Sequence, residues 1–302
     1  MQIYVRVSCD KCECKLSKNT TSYGVFVLSP LILGIDFTSA PSATKPITIA
    51  HARLVHGAEL RVERLERLES LDAFSALLVR GGPWVGGFDV PFGLPRELVT
   101  ALGWPTRWPE LVRYFGDQPR AQLREHLVEF CAGRPAGSKF AHRATDRPAG
   151  SSPSMKWVNP PVAWMLHAAA PRLLEAGVAI PGLAQGDPSR VALEAYPGML
   201  ARAITRASYK SDDRAKQDAA REAARGRIVA ALTSGRHPLA IKIGFARGLR
   251  AAVEGDPRGD WLDAVLCAVQ AAWAVQQGPG FGLPAEIDPI EGWIISTPAP
   301  TG

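Results

Sequence analysis

Five acidic residues stand where their types and positions allow shared chemistry: Asp36, Asp89, Glu194, Asp260 and Asp263. Asp36 follows the apolar run LILGI, Asp89 follows WVGGF, and Glu194 lies near the end of VALEAY. Short apolar runs bounded by turn residues read as buried strands. In open α/β sheets ligands collect at the carboxyl ends of the strands. Acids at three such ends meet if the strands are neighbours. Asp260 and Asp263 open the apolar segment DWLDAVLCAVQAAWAVQQ. They are three residues apart, so they share a helical face. They also lie in the first turn, where the helix dipole favours carboxylates. A carboxylate cluster is costly unless a cation neutralises it. Oxygen-only ligands suit magnesium or manganese. Two such ions about 3.5–4 Å apart can activate a water and stabilise the leaving oxygen of a phosphodiester.

Each acid also has a local alternative. Asp36 precedes Thr38 and Ser39 and fits a turn aspartate; Asp89, before V-P-F-G, fits the same role. Asp260 fits a helix N-cap. Asp263 sits inside an apolar helix, where a bare charge needs a partner. Glu194 could pair with an arginine of the basic segment described below. The coincidence of positions, more than any single residue, points to a cluster.

The elements that must position these acids follow from periodicity. Residues 31–39, 46–57, 59–70, 84–90 and 191–196 read as five strands, the second and third joined through Gly57. Residues 70–82 carry Leu71, Phe74, Leu77 and Leu78 at helical spacing. The opening order is therefore β-β-β-α-β, an α/β pattern. In the first strand Leu31, Leu33, Ile35 and Phe37 face one way; Ile32, Gly34 and Asp36 face the other. Residues 96–188 suggest helices near 95–102, 107–115, 119–132 and 161–176, separated by Pro- and Gly-rich loops. Further helices are expected at 198–206, 212–233 and 261–277. In the last, Leu262, Val265, Leu266, Val269 and Trp273 form one stripe. No internal repeat is present.

Of 302 residues, 46% are apolar and 21% charged, which are values of a folded chain rather than a disordered one. No apolar run approaches the roughly 18 residues that span a bilayer, so no membrane association is expected. Residues 1–27 differ from the rest and read as a disordered leader or a start assigned too far upstream. They hold Cys9, Cys12 and Cys14 in CDKCEC, short of the four ligands of a structural zinc site. Five cysteines are unsuited to a fully paired disulfide framework, and a reducing, cytoplasmic setting is expected. The net charge is +6. Twelve lysines and arginines lie between Arg202 and Arg250, against Asp212, Asp213, Asp218 and Glu222. Such a segment is a solvated helical face or a footprint for phosphates, which admits nucleic acid as a partner.

The motifs GIDFTSAP, GGFDVPFGLP, NPPVAWML, LEAYPGMLAR, SYK, DWLDAVLCAVQAAW and EGWI, in this order, resemble the domain-of-unknown-function family numbered 429, described as predicted nucleases. The resemblance covers roughly residues 31–295. It implies a ribonuclease H-like fold: a mixed five-stranded sheet flanked by helices, with a helical insertion at about 95–188 between strands four and five. One domain would span 28–296, followed by a flexible tail at 297–302. It further implies Asp36, Asp89 and Asp263 as ligands of Mg2+ or Mn2+, with Glu194 and Asp260 as helpers. The Asp260/Asp263 pair is similar to the two-acid helix of Holliday-junction resolvases.

Around the acids, Lys210 with Tyr209 could contact a phosphate, as could Tyr196. Arg143 and Arg147 flank Asp146 in HRATDR, either lining the cleft or closing a local salt-bridged turn. A metal-dependent nuclease is the first expectation. A catalytically silent module of the same fold is the second, since only Asp72 stands near the position of a first-helix acid. A phosphotransferase of the sugar-kinase and actin-like group ranks third, because such enzymes need two lobes and one strand set is visible. No P-loop, dinucleotide-binding glycine pattern, G-x-S-x-G elbow or Ser-His-Asp order is present.

Overall fold

The computed structural model describes residues 30–55 and 59–298. The cysteine motif, the leader and Gly57 lie outside the described residues. The opening strands are β1 (Leu31–Asp36), β2 (Ile47–Val55) and β3 (Glu59–Leu68). Helix α1 (Leu71–Leu78) follows, its first turn capped by Ser70, whose hydroxyl accepts from the Ala73 amide. Strand β4 (Trp84–Asp89) comes next. Then come α2 (Arg96–Ala101), α3 (Trp108–Asp117), α4 (Arg120–Ala132), α5 (Asp146–Ala149) and α6 (Val162–Glu175). The chain returns to the sheet as β5 (Val178–Ala179) and β6 (Asp187–Glu194). It ends with α7 (Pro197–Ile204), α8 (Ala219–Ser234), β7 (Lys242–Phe245), α9 (Leu249–Gly255) and α10 (Asp260–Gln276).

The sheet has seven strands in the order β5-β6-β4-β1-β2-β3-β7, not the five expected. The five expected strands are its interior and the two additions are its edges. Two residues in β5 and four in β7 are too few to carry a period-2 signal. Strands β1, β2 and β3 pair antiparallel, while β4 and β6 run parallel to β1. The expected helix at 212–233 begins only at Ala219, because Asp218 caps it by accepting from the Arg221 amide.

The sheet separates two cores. Leu33, Ile35, Phe37, Ile49, Phe74 and Phe88 pack on one side with residues of α2, α3, α4 and α6. Ile32, Ala50, Ala52 and Val85 pack on the other with residues of α7, α8, α9 and α10. This is the division that strand alternation predicts. Helix α10 departs from the single-stripe expectation: Leu262 through Ala272 are all buried. Besides the sheet, α7 and α9 also pack against it, so it is buried on nearly every side, the polar Asp263 and Gln270 included. Its approach to the sheet depends on two glycines paired across β1 and β4, Gly34 and Gly87. A Cβ at Gly34 would run into the Ala264 carbonyl and the Ala268 amide; one at Gly87 would lie 2.5 Å from the Cys267 carbonyl oxygen. Larger residues at either position would hold α10, and the acids at its start, away from the strand ends.

Candidate active site

Asp36 and Asp89 are direct register partners, each the last residue of its strand. Two residues beyond Gly34 and Gly87, they point to the same face, where α10 begins. Asp263 lies in the first turn of α10, and its side chain is fully buried. Burial, the charges of Asp263, Asp89 and Asp260, and only partial relief from Lys210 hold the Asp36 carboxyl well above its usual value. Burial and the Asp263 charge push Asp89 up to about 7. Burial and Asp256 push Asp260 to about 6. Asp36, Asp89, Asp260 and Asp263 thus share one electrostatic environment, two of them from strand ends and two from the helix.

The fifth is held apart. Both carboxylate oxygens of Glu194 accept from Arg143, at 2.7 and 2.8 Å, and one also accepts the Phe92 amide at 2.9 Å. Arg143 additionally donates to Asp146 at 2.9 and 3.1 Å and to the Glu291 carbonyl at 3.0 Å. Arg143, Asp146 and Glu194 are buried. Burial opposes the charge on Arg143, but Asp146 and Glu194 outweigh it and raise its pKa. The ion-pair alternative for Glu194 is thus realised, with a partner from the loop before α5 rather than from the basic segment. Arg143 has no free donor face for a substrate, while Arg147 is exposed on α5. Of the two readings of HRATDR, the salt-bridged turn is the one observed: Arg143 and Asp146 close it, and the same arginine ties it to β6, while neither Arg143 nor Arg147 lines the cleft beside Asp89.

The charge of Lys210 bears on all four remaining acids. The Lys210 ammonium forms an ion pair with one Asp263 oxygen. The Tyr209 hydroxyl donates to the other at 2.5 Å. Burial works against the charge on Lys210, but Asp263, Tyr209 and Asp36 hold its pKa well above the usual lysine value. Burial and Asp263 raise the Tyr209 phenol well above its usual range. Asp260 is not an N-cap: Gly259 holds that position, and the Asp256 carboxylate accepts the Trp261 amide at 3.0 Å. Among the described residues, no three His, Cys, Asp or Glu side chains are arranged to hold a metal ion as they stand.

Beside Asp89 opens a cleft of about 320 Å³, walled by Tyr196, Arg202, Arg206, Tyr209 and Lys210. Arg202 lies over the Tyr196 ring at 5.1 Å and donates to its hydroxyl and to the Ala149 and Gly150 carbonyls. Tyr196 was expected at the site; Arg202 and Arg206 were visible only as members of the basic segment. Their signal is position, on and just after the helix that follows β6.

A mixed α/β protein with acids gathered at the ends of adjacent parallel strands, faced by the first turn of a helix, is the class these observations define. The family model "Protein of unknown function (DUF429)" matches residues 34–288, and the chain belongs to that family. No curated protein and no solved structure matches. Among the described residues, no helix is long and apolar enough to cross a membrane.

Proposed function

We propose that this protein is a divalent-metal-dependent nuclease of ribonuclease H-like fold, acting through Asp36, Asp89 and Asp263. The observation that carries this reading is the register pairing of Asp36 with Asp89, directly before the acidic start of α10. The interior strand order β3-β2-β1-β4-β6, with β1–β3 antiparallel and β4 and β6 parallel to β1, supports the fold assignment. The donor set is oxygen only and carries more negative charge than Lys210 offsets, the condition under which hard cations such as Mg2+ or Mn2+ bind. Asp36, Asp89 and Asp263 would hold the ion, with Asp260 adjacent. When bound, such an ion supplies Lewis acidity and a nucleophilic water.

The chain's own residues supply the rest. Lys210, its side chain 45% exposed, would yield Asp263 to such an ion and would then be free to face a substrate phosphate. Tyr209 orients Asp263 through its hydroxyl. Glu194 fixes the loop behind Asp89 through the Phe92 amide and acts as a positioning residue.

Single-stranded, duplex, hybrid and branched substrates incubated with Mn2+ or Mg2+ test the reading. Cleavage is expected, and Asp36→Asn with Asp263→Asn abolishes it. Cleavage that survives the double substitution overturns the assignment. A second reading, a silent module of the same fold, is favoured by one observation: Lys210 and Tyr209 already occupy both oxygens of Asp263. Calorimetry separates the two, since absence of divalent-ion binding at millimolar concentration supports the silent module.

A further inference from the structure

The cleft beside Asp89 places three cations, Arg202, Arg206 and Lys210, on its walls against one carboxylate. The three are not equivalent. Lys210 pairs with Asp263 when no ion is bound, and Arg202 donates to carbonyls and the Tyr196 hydroxyl. Arg206 is exposed and, among the described residues, makes no hydrogen bond or ion pair. It presents a full guanidinium fork, the geometry that matches a phosphate. The cleft volume, about 320 Å³, is at the low end for small-ligand sites and suits one nucleotide-sized unit. A base still paired with its complement is too large for it. Tyr196 and Tyr209 also line the cleft, one face of each ring lying under Arg202 and Lys210 respectively.

We propose that this cleft binds single-stranded nucleic acid, with Arg206 holding the phosphate next to the one that faces the acid cluster and Arg202 serving as a fixed second charge. The proposal deepens the nuclease reading and rests on it for the direction of the strand, but binding is measurable without cleavage.

The test is fluorescence anisotropy in EDTA with a labelled single-stranded oligonucleotide, as DNA and as RNA, and a duplex of equal length, over a series of salt concentrations. Arg206→Glu is compared with Arg236→Glu, the same charge change near the end of α8 outside the cleft. Single strands are expected to bind more tightly than duplex. Arg206→Glu weakens that binding roughly tenfold, the loss of one charge-assisted contact. Arg206→Ala lowers the salt slope by about one. Arg236→Glu changes neither. Both positions are exposed, and an unchanged Tm verifies folding. Equal effects of the two reversals, a preference for duplex, or no binding by the unmodified protein overturns the proposal. Arg206-dependent binding without cleavage under any divalent ion overturns the nuclease reading and leaves the cleft assignment intact. Cleavage with Arg206-independent binding does the reverse.

Discussion

Asp89→Asn removes one charge from the cluster and should stabilise the metal-free protein. The two side chains are nearly isosteric, so packing changes little. Burial and Asp263 raise the Asp89 carboxyl from 3.8 to about 7. A carboxyl whose value in the fold exceeds its unfolded value binds its proton more tightly when folded. Its contribution is therefore fully present below pH 3.8 and is lost as pH rises through about 7. A rise of roughly three units at about 1.36 kcal/mol each sets a ceiling of about 4 kcal/mol. Local relaxation and water entry around an ionised Asp89 reduce this to about 1–3 kcal/mol at pH 8.

Urea unfolding in EDTA at intervals from pH 4 to pH 8 measures the effect. The stability of Asp89→Asn minus that of the unmodified protein should start near zero and grow with pH. Taking the difference cancels groups far from the cluster, such as His142 and His237, which burial holds below the usual imidazole value. A difference that stays flat with pH, or an asparagine variant that is less stable at pH 8, refutes the electrostatic account. The cluster would then be neither crowded nor short of positive charge.

Adding Mn2+ to the unmodified protein should raise its Tm, by about 2.7 kcal/mol of stabilisation at one hundred times Kd. Asp263→Asn should remove most of that gain in the same thermal-shift scan. Gly87→Ala places a Cβ 2.5 Å from the Cys267 carbonyl oxygen, where ordinary contacts begin near 3.4 Å. Helix α10 must shift by nearly 1 Å, a cost of about 1–3 kcal/mol in urea unfolding, and Mn2+ stabilisation should weaken with it. Arg143→Ala leaves Glu194 and Asp146 buried and unpaired, so a loss of about 3–5 kcal/mol is expected at neutral pH. Arg143→Ala with Glu194→Gln should recover part of that loss in a double-mutant cycle.

The acids at the strand ends were legible because each ends an apolar run, and alternation assigned Asp36 to the face of Gly34 and Ile32. Nothing local in the sequence reports that Gly34 and Gly87 would be register partners, although that pairing brings α10 down onto the sheet. The partner of Glu194 was illegible for a similar reason. Arg143 is 51 residues away, and its neighbours in HRATDR fit a self-contained turn equally well. The apolar stripe on α10 was real, but a stripe says nothing about what packs on the opposite side. Lys210 was placed near a phosphate or in solvent. Its position on Asp263 follows from the loop between α7 and α8, which has no periodic signal.

Two cations sit among the five acids, and their exposure gives them different roles. The Arg143 side chain is 1% exposed, and its guanidinium is shared between Asp146 and Glu194. A hydrated ion cannot displace it without leaving two carboxylates unpaired in the interior, which costs several kcal/mol. The Lys210 side chain is 45% exposed, so its ammonium can pass from Asp263 to water without opening the core. Of the five acids, then, Glu194 is removed from exchange by a permanent partner. Asp36, Asp89 and Asp263 are left with a replaceable one. Any divalent ion that binds here must compete with Lys210. Lys210→Met should therefore tighten Mn2+ binding in calorimetry if the acids form the site, and unchanged affinity would place the ion elsewhere.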